Sequence, residues 1–218
     1  MKKLLLLFVV SFSTITFGQD RFEKIDSLLT YLNENNKFMG SLTIREGEYV
    51  VFNKAYGFAD VEANILANRE TKYKIGSVTK TFTAVMLMQL IEERKLGLQT
   101  KVARFYPKIP NAEKISIEDL LHHRTEIVDY INQNNLIDVY GKHAHSEMIE
   151  KITAYPPLFE PGTKYEYSNS NYYLLGTIIE KLTKKTYAEN LQDRIVKKAN
   201  LVNTYYHENK TDTNSGES

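Results

Sequence analysis

Lys74-Ile-Gly-Ser-Val-Thr-Lys-Thr-Phe-Thr-Ala84 opens the most apolar helix in the sequence. Val78, Phe82, Val85, Met86, Leu87, Met88, Leu90 and Ile91 fall on nearly every side of it, the pattern of a helix buried all round. Ser77 and Lys80 stand three positions apart, which on a helix puts two side chains on one face about 5 to 6 Å from each other. A serine hydroxyl is a poor nucleophile until a base takes its proton, and the Lys80 amine is such a base within reach. At the positive end of the helix macrodipole an oxyanion is favoured and an ammonium disfavoured. Gly76 lets the backbone approach closely. Taken alone, the same residues also fit a serine N-cap followed by a solvated lysine. Yet this is the only Ser-x-x-Lys in the chain.

Lys95-Leu96-Gly97 ends this helix with a basic residue and a C-cap glycine. Downstream, Ser116 and Asp119 read as a capping box over Leu120 and Leu121. A further helix with its linkers is expected within 133–155, and Pro156-Pro157 and Pro161-Gly162 bracket a loop. Leu174, Leu175, Ile178, Ile179 and Leu182 form a helical stripe, and Leu191 with Ile195 another. Just before the first stripe stands Tyr167-Ser168-Asn169. A phenol can relay a proton, and an Asn amide can bond both a lysine and a substrate. Tyr31-Leu32-Asn33 and Tyr130-Ile131-Asn132 share the Tyr-x-Asn spacing. Tyr167 differs in following the loop Phe159-Glu-Pro-Gly-Thr163, which can aim side chains into a cleft. It also fits a packed loop aromatic.

Upstream, Phe22, Ile25, Leu28, Leu29 and Leu32 give an amphipathic helix over 20–35. Ser41 to Asn53 reads as a hairpin turning at Glu46-Gly47, and 57–75 as loop. A lone hairpin is marginal in water, and no clear third strand follows residue 56.

The first eighteen residues read as a Sec-type signal: Lys2 and Lys3, an apolar run from Leu4, then Thr16-Phe17-Gly18 as a cleavage site. The apolar stretch of about 14 residues is short for a bilayer span, which needs about 20. The expected location is periplasmic or secreted, without a stable membrane span after cleavage. With 28 Lys plus Arg against 27 Asp plus Glu the chain is near neutral, which gives no reason to expect nucleic acid as a partner. There is no Cys, so disulfides, thiolate nucleophiles and cysteine metal sites are excluded. His122-His123 and His143-Ala144-His145 lack an acidic partner at zinc-site spacing, and no metal or other cofactor is expected.

Lys74 to Ala84 resembles the nucleophile segment of class C β-lactamases and related penicillin-binding proteins and esterases. Phe159-Glu-Pro-Gly-Thr-Lys-Tyr-Glu-Tyr-Ser-Asn-Ser-Asn-Tyr-Tyr-Leu-Leu-Gly176 resembles their second motif. Ile115-Ser-Ile-Glu-Asp-Leu-Leu121 is similar to the intervening helix, and Gly40-Ser-Leu-Thr-Ile44 with Tyr56-Gly57 to the opening hairpin. The resemblance runs from about residue 22 to 206. It implies an α/β fold of α+β type, β-lactamase/transpeptidase-like, with a helical region on an antiparallel sheet. It further implies an acylated nucleophile at Ser77, a proton acceptor or relay at Lys80, a base or shuttle at Tyr167, and an amide at Asn169 that positions lysine and substrate. The implied reaction is hydrolysis of a β-lactam, a D-alanyl peptide or an ester, so the partner is a small-molecule or peptidoglycan-derived substrate.

The sequence departs from the family in two places. Where the family has His-Thr-Ser-Gly, this chain has His123-Arg124-Thr125-Glu126, strained at Glu126 if that position needs a positive φ. The third motif, Lys-Thr-Gly or His-x-Gly on a strand, has no match beyond Lys74-Ile-Gly76 and Lys95-Leu-Gly97, neither of which can be that strand. The sheet's C-terminal strands are therefore expected to be missing from this chain, and with them an oxyanion-hole donor worth about 3 to 4 kcal/mol. The alternative is a truncated or inactive relative that binds cell-wall fragments or has no independent activity. The expected division is a signal over 1–18, one incomplete domain over 19–206 and a disordered polar tail over 207–218.

Overall fold

The computed structural model describes residues 21–131 and 143–206. The expected signal, the polar tail and the first part of the 133–155 region lie outside the described residues. The chain forms two compact units, one holding the described residues up to Tyr73 and the other those from Lys74 on.

In the first unit, α1 (Glu23–Glu34) precedes a hairpin of β1 (Gly40–Glu46) and β2 (Tyr49–Tyr56). The hairpin register pairs Glu46 with Tyr49, so the two-residue turn is Gly47-Glu48, one position beyond the expected one, with Gly47 at φ 55. A bulge between Ile44 and Arg45 shifts the register. The helix packs on the hairpin through the Phe22 and Phe52 rings, 5.5 Å apart, and through Asp26, which accepts from the Tyr56 hydroxyl at 2.8 Å and pairs with Lys54. The stretch expected to be loop contains β3 (Phe58–Asp60) and β4 (Ile65–Leu66), which pair with each other and not with the hairpin.

The second unit is helical: α2 (Thr79–Glu92), α3 (Ile117–Leu121), α4 (His145–Ala154), α5 (Asn169–Thr183), α6 (Tyr187–Leu191) and α7 (Lys197–Ala199). Its core sets Met86, Leu87 and Leu90 of α2 and Ile117 and Leu120 of α3 against Leu174, Leu175, Ile178 and Ile179 of α5, all fully buried. Each such aliphatic side chain contributes about 1.5 to 3 kcal/mol when fully buried. The Ser116–Asp119 capping box is present at α3, and a second one, Thr186 with Glu189, opens α6.

Two expectations for α2 change. The helix is not buried all round: Val85 and Met88 remain 43% and 42% exposed. Nor does Gly97 cap it. Lys95 N–H donates to Leu90 O and Arg94 N–H to Ile91 O, a Schellman pair in which Arg94, at φ 57, takes the left-handed position. Among the described residues no helix is long and apolar enough to cross a membrane.

Candidate active site

Ser77 lies in a single 3-10 turn, Gly76–Val78, that runs directly into α2. Because the turn continues into α2, Ser77 and Lys80, three positions apart, fall on one face. Gly76 starts the turn at φ 51, a left-handed conformation that only glycine adopts without strain, and a Cβ there would meet nothing within 4 Å. Its role is therefore conformational rather than one of close approach.

Four sequence-predicted residues meet here. Lys80 Nζ donates to Ser77 Oγ at 3.1 Å and to Asn169 Oδ1 at 2.8 Å. The Tyr167 hydroxyl lies 2.9 Å from Ser77 Oγ. Tyr167 reaches the serine and Asn169 the lysine because α5 begins at Asn169 and the residues just before it carry the phenol to the start of α2. The other two Tyr-x-Asn sites behave differently: Tyr31 is an exposed residue of α1, and Tyr130 packs edge-on against Tyr173.

Tyr167 is held by His123, to which the sequence reading gave no role at the site. The His123 carbonyl accepts from Glu166 N–H at 2.9 Å and its Nδ1 from Ser168 N–H at 3.2 Å, so both neighbours of Tyr167 are tied to one histidine. Burial of the imidazole, then the nearby Lys80 charge, hold its pKa below the ordinary value. For Tyr167, burial pushes the phenol up. The Lys80 ammonium and the Ser77 hydrogen bond outweigh it, and the net shift is downward. The other histidine pair is split between partners: His143 faces Glu147, and His145 bonds Tyr173 and Glu180. Among the described residues no three His, Cys, Asp or Glu side chains gather as a metal site.

Sequence reading missed Asp129, which stands behind Asn169 and is only 7% exposed. Asn169 Nδ2 lies 3.2 and 3.1 Å from its two oxygens, and the backbone N–H groups of Asn169 and Ile131 donate to Oδ1 at 3.2 and 3.1 Å. The signal that could have found it is an acid directly after Ile127-Val128, in a stretch too apolar for a solvated loop. The loop that carries it, Thr125 to Asp129, is buried and laced to the start of α5: Thr125 Oγ1 donates to Asn171 Oδ1 at 2.6 Å and Ser170 Oγ to Val128 O at 2.5 Å. The expected strain at Glu126 is not found. The left-handed residue of this loop is His123, at φ 53.

A hydroxyl, an amine and a phenol converging at the start of a buried helix, with a carboxamide behind them, are the parts of a β-lactamase/transpeptidase-like site. The chain belongs to the Beta-lactamase family, whose model matches residues 26–215. It is 28% identical to the teichoic acid D-alanine hydrolase of Staphylococcus aureus (strain MRSA252), covering 88% of this chain and 46% of that one. The crystal structure of FmtA from Staphylococcus aureus superposes with a TM-score of 0.70 at 28% identity, over 87% of this chain and 51% of FmtA. The D-amino acid amidase from Ochrobactrum anthropi SV3, in complex with L-phenylalanine, gives 0.71 at 27% identity, over 82% and 49%. The chain thus spans about half the length of each of these relatives. The fold class read from the sequence, with helices and antiparallel strands in a β-lactamase/transpeptidase-like arrangement, agrees with these likenesses.

Proposed function

We propose that this chain carries the acylation centre of an exported serine hydrolase. The observation that supports it most strongly is the placement of both Lys80 Nζ and the Tyr167 hydroxyl within 3.1 Å of Ser77 Oγ. In this reading Ser77 Oγ attacks an acyl carbonyl while its proton passes to the Lys80–Tyr167 pair. The Ser77 N–H is one donor to the oxyanion. The tetrahedral intermediate collapses, and the leaving alcohol or amine takes the proton back from the pair. Water then hydrolyses acyl-Ser77 by the same route. A lowered Tyr167 pKa makes the phenolate a more accessible acceptor.

The names of the relatives, a teichoic acid D-alanine hydrolase and a D-amino acid amidase, favour an ester or amide of a D-amino acid as the acyl donor. Export rests on the leader read over 1–18, and the division into leader, domain over 19–206 and tail is proposed with it. The test is labelling of the purified chain with a fluorescent penicillin or a fluorophosphonate, followed by mapping of the adduct. One adduct on Ser77, absent from Ser77→Ala, is expected. A wild-type chain that takes no label, or labelling that persists in the variant, overturns the proposal.

A further inference from the structure

We propose that Asp129 is a positioning residue: it fixes the Asn169 carboxamide in the one orientation that presents Oδ1 to Lys80. The inference rests on the hydrolase reading above for its consequence, and on geometry alone for the orientation.

An Asn side chain has a donor end and an acceptor end that differ little in shape, so its direction is set by its partners. Here the partners leave no choice. The Asp129 carboxylate can only accept, and it already takes the backbone N–H groups of Asn169 and Ile131 on Oδ1. Both its oxygens lie within 3.2 Å of Asn169 Nδ2. Turning the amide over would set its carbonyl oxygen against a carboxylate. It would also set its N–H₂ against Lys80. An ammonium facing that group meets donor with donor and swings away from Ser77. A neutral amine facing it has its lone pair taken by the amide instead of by the serine proton. With Oδ1 forward, Lys80 donates to Asn169 in either state and keeps its remaining valence for Ser77. The same arrangement commits an amide hydrogen of Asn169 to Asp129, with Oδ1 turned to Lys80.

Asp129 also accepts from the first backbone N–H of α5, so a loss of activity alone would not separate positioning from helix capping. A double-mutant cycle does. The rate of fluorophosphonate labelling of Ser77 is measured in wild type, Asp129→Ala, Asn169→Ala and the double variant, with Asp129→Asn as the isosteric control. Positioning predicts a loss of about ten- to a hundredfold in Asp129→Ala, and little further loss when the same change is made in Asn169→Ala. Asp129→Asn, whose amide can turn either way, falls between. An equal loss in both backgrounds, or wild-type rates in Asp129→Ala, overturns the inference. A second measurement needs no labelling. In ¹⁵N–¹H spectra the Asn169 side-chain amide protons exchange slowly in wild type and fast in both Asp129 variants. Fast exchange in wild type overturns the inference, whereas an unlabelled wild type with slow exchange removes the hydrolase reading and leaves the orientation standing.

Discussion

The His123 imidazole lies against the Tyr167 ring with centroids 4.5 Å apart and the planes tilted by 31°, while its Nδ1 accepts from the backbone of the next residue, Ser168. An imidazole in this position must stay neutral, because a proton on Nδ1 would face that N–H and bring a charge towards Lys80. Its pKa is lowered, so the folded state binds fewer protons than the unfolded chain between the lowered value and the ordinary one of about 6.5. Stability therefore falls as pH drops through that window. In urea unfolding from pH 8 to 5 the fall is read against His123→Asn, which tolerates the left-handed backbone but does not titrate. Wild type should lose stability relative to the variant as pH drops, on top of a pH-independent cost to the variant of about 1 kcal/mol for the lost ring contact.

Tyr167→Phe keeps the ring on His123 and deletes only the hydroxyl that meets Ser77. Proton transfer by a positioned side chain contributes about a hundredfold or more, so labelling of Ser77 should slow by that factor. The melting temperature should change little, since Tyr167 is 39% exposed and its ring contact with His123 is kept. A variant that labels at the wild-type rate would remove Tyr167 from the proton path.

Arg94 sits at φ 57 in the Schellman cap of α2. A non-glycine residue in this region costs about 1 to 2 kcal/mol, and glycine returns part of that through its greater freedom when unfolded. Arg94→Gly is expected to raise stability by about 0.5 to 1 kcal/mol in urea unfolding, without altering the labelling rate. An unchanged or lower midpoint would show that the Arg94 side chain supplies a compensating contact.

What the sequence exposed was what local pattern determines. The period of Leu174, Leu175, Ile178 and Ile179 gave α5, the Ser116–Asp119 pair gave α3, and the glycine between two β-rich runs gave the hairpin to within one residue. Ser77 with Lys80 was legible because one helical turn holds both, and Tyr167 because a Pro-Gly loop precedes it. The rest depended on tertiary context. β3 and β4 are three and two residues long and have no periodicity to read. The apolar run of α2 could not say that Val85 and Met88 stay exposed. Gly97 looked like the cap because glycine favours left-handed positions, yet the backbone closed at Arg94, three residues earlier. Asp129 and His123 act on residues about 40 positions away, and a local signal such as an acid after Ile127-Val128 marks burial without naming the partner.

Glu126 gives the opposite pH response from His123. It is 1% exposed, and neither carboxylate oxygen has a hydrogen bond of ordinary geometry, although Asn111 lies near enough to ease a charge. Burial is the main cause that pushes its pKa above the usual carboxylate range. The folded state then holds a proton that the unfolded chain releases near 4.5, so stability falls as pH rises from that value through the raised one. Glu126→Gln removes this titration, so wild type should lose stability relative to the variant as pH rises through that window. Glu126→Met, of similar length and without a polar end, should stabilise by about 1 to 3 kcal/mol at neutral pH by removing an unsatisfied buried group. Because the backbone here is not left-handed, neither change strains the loop, and Leu158 N–H keeps its bond to the carbonyl of residue 126. Equal pH slopes in wild type and Glu126→Gln would mean that the carboxyl reaches solvent and ionises at its ordinary value.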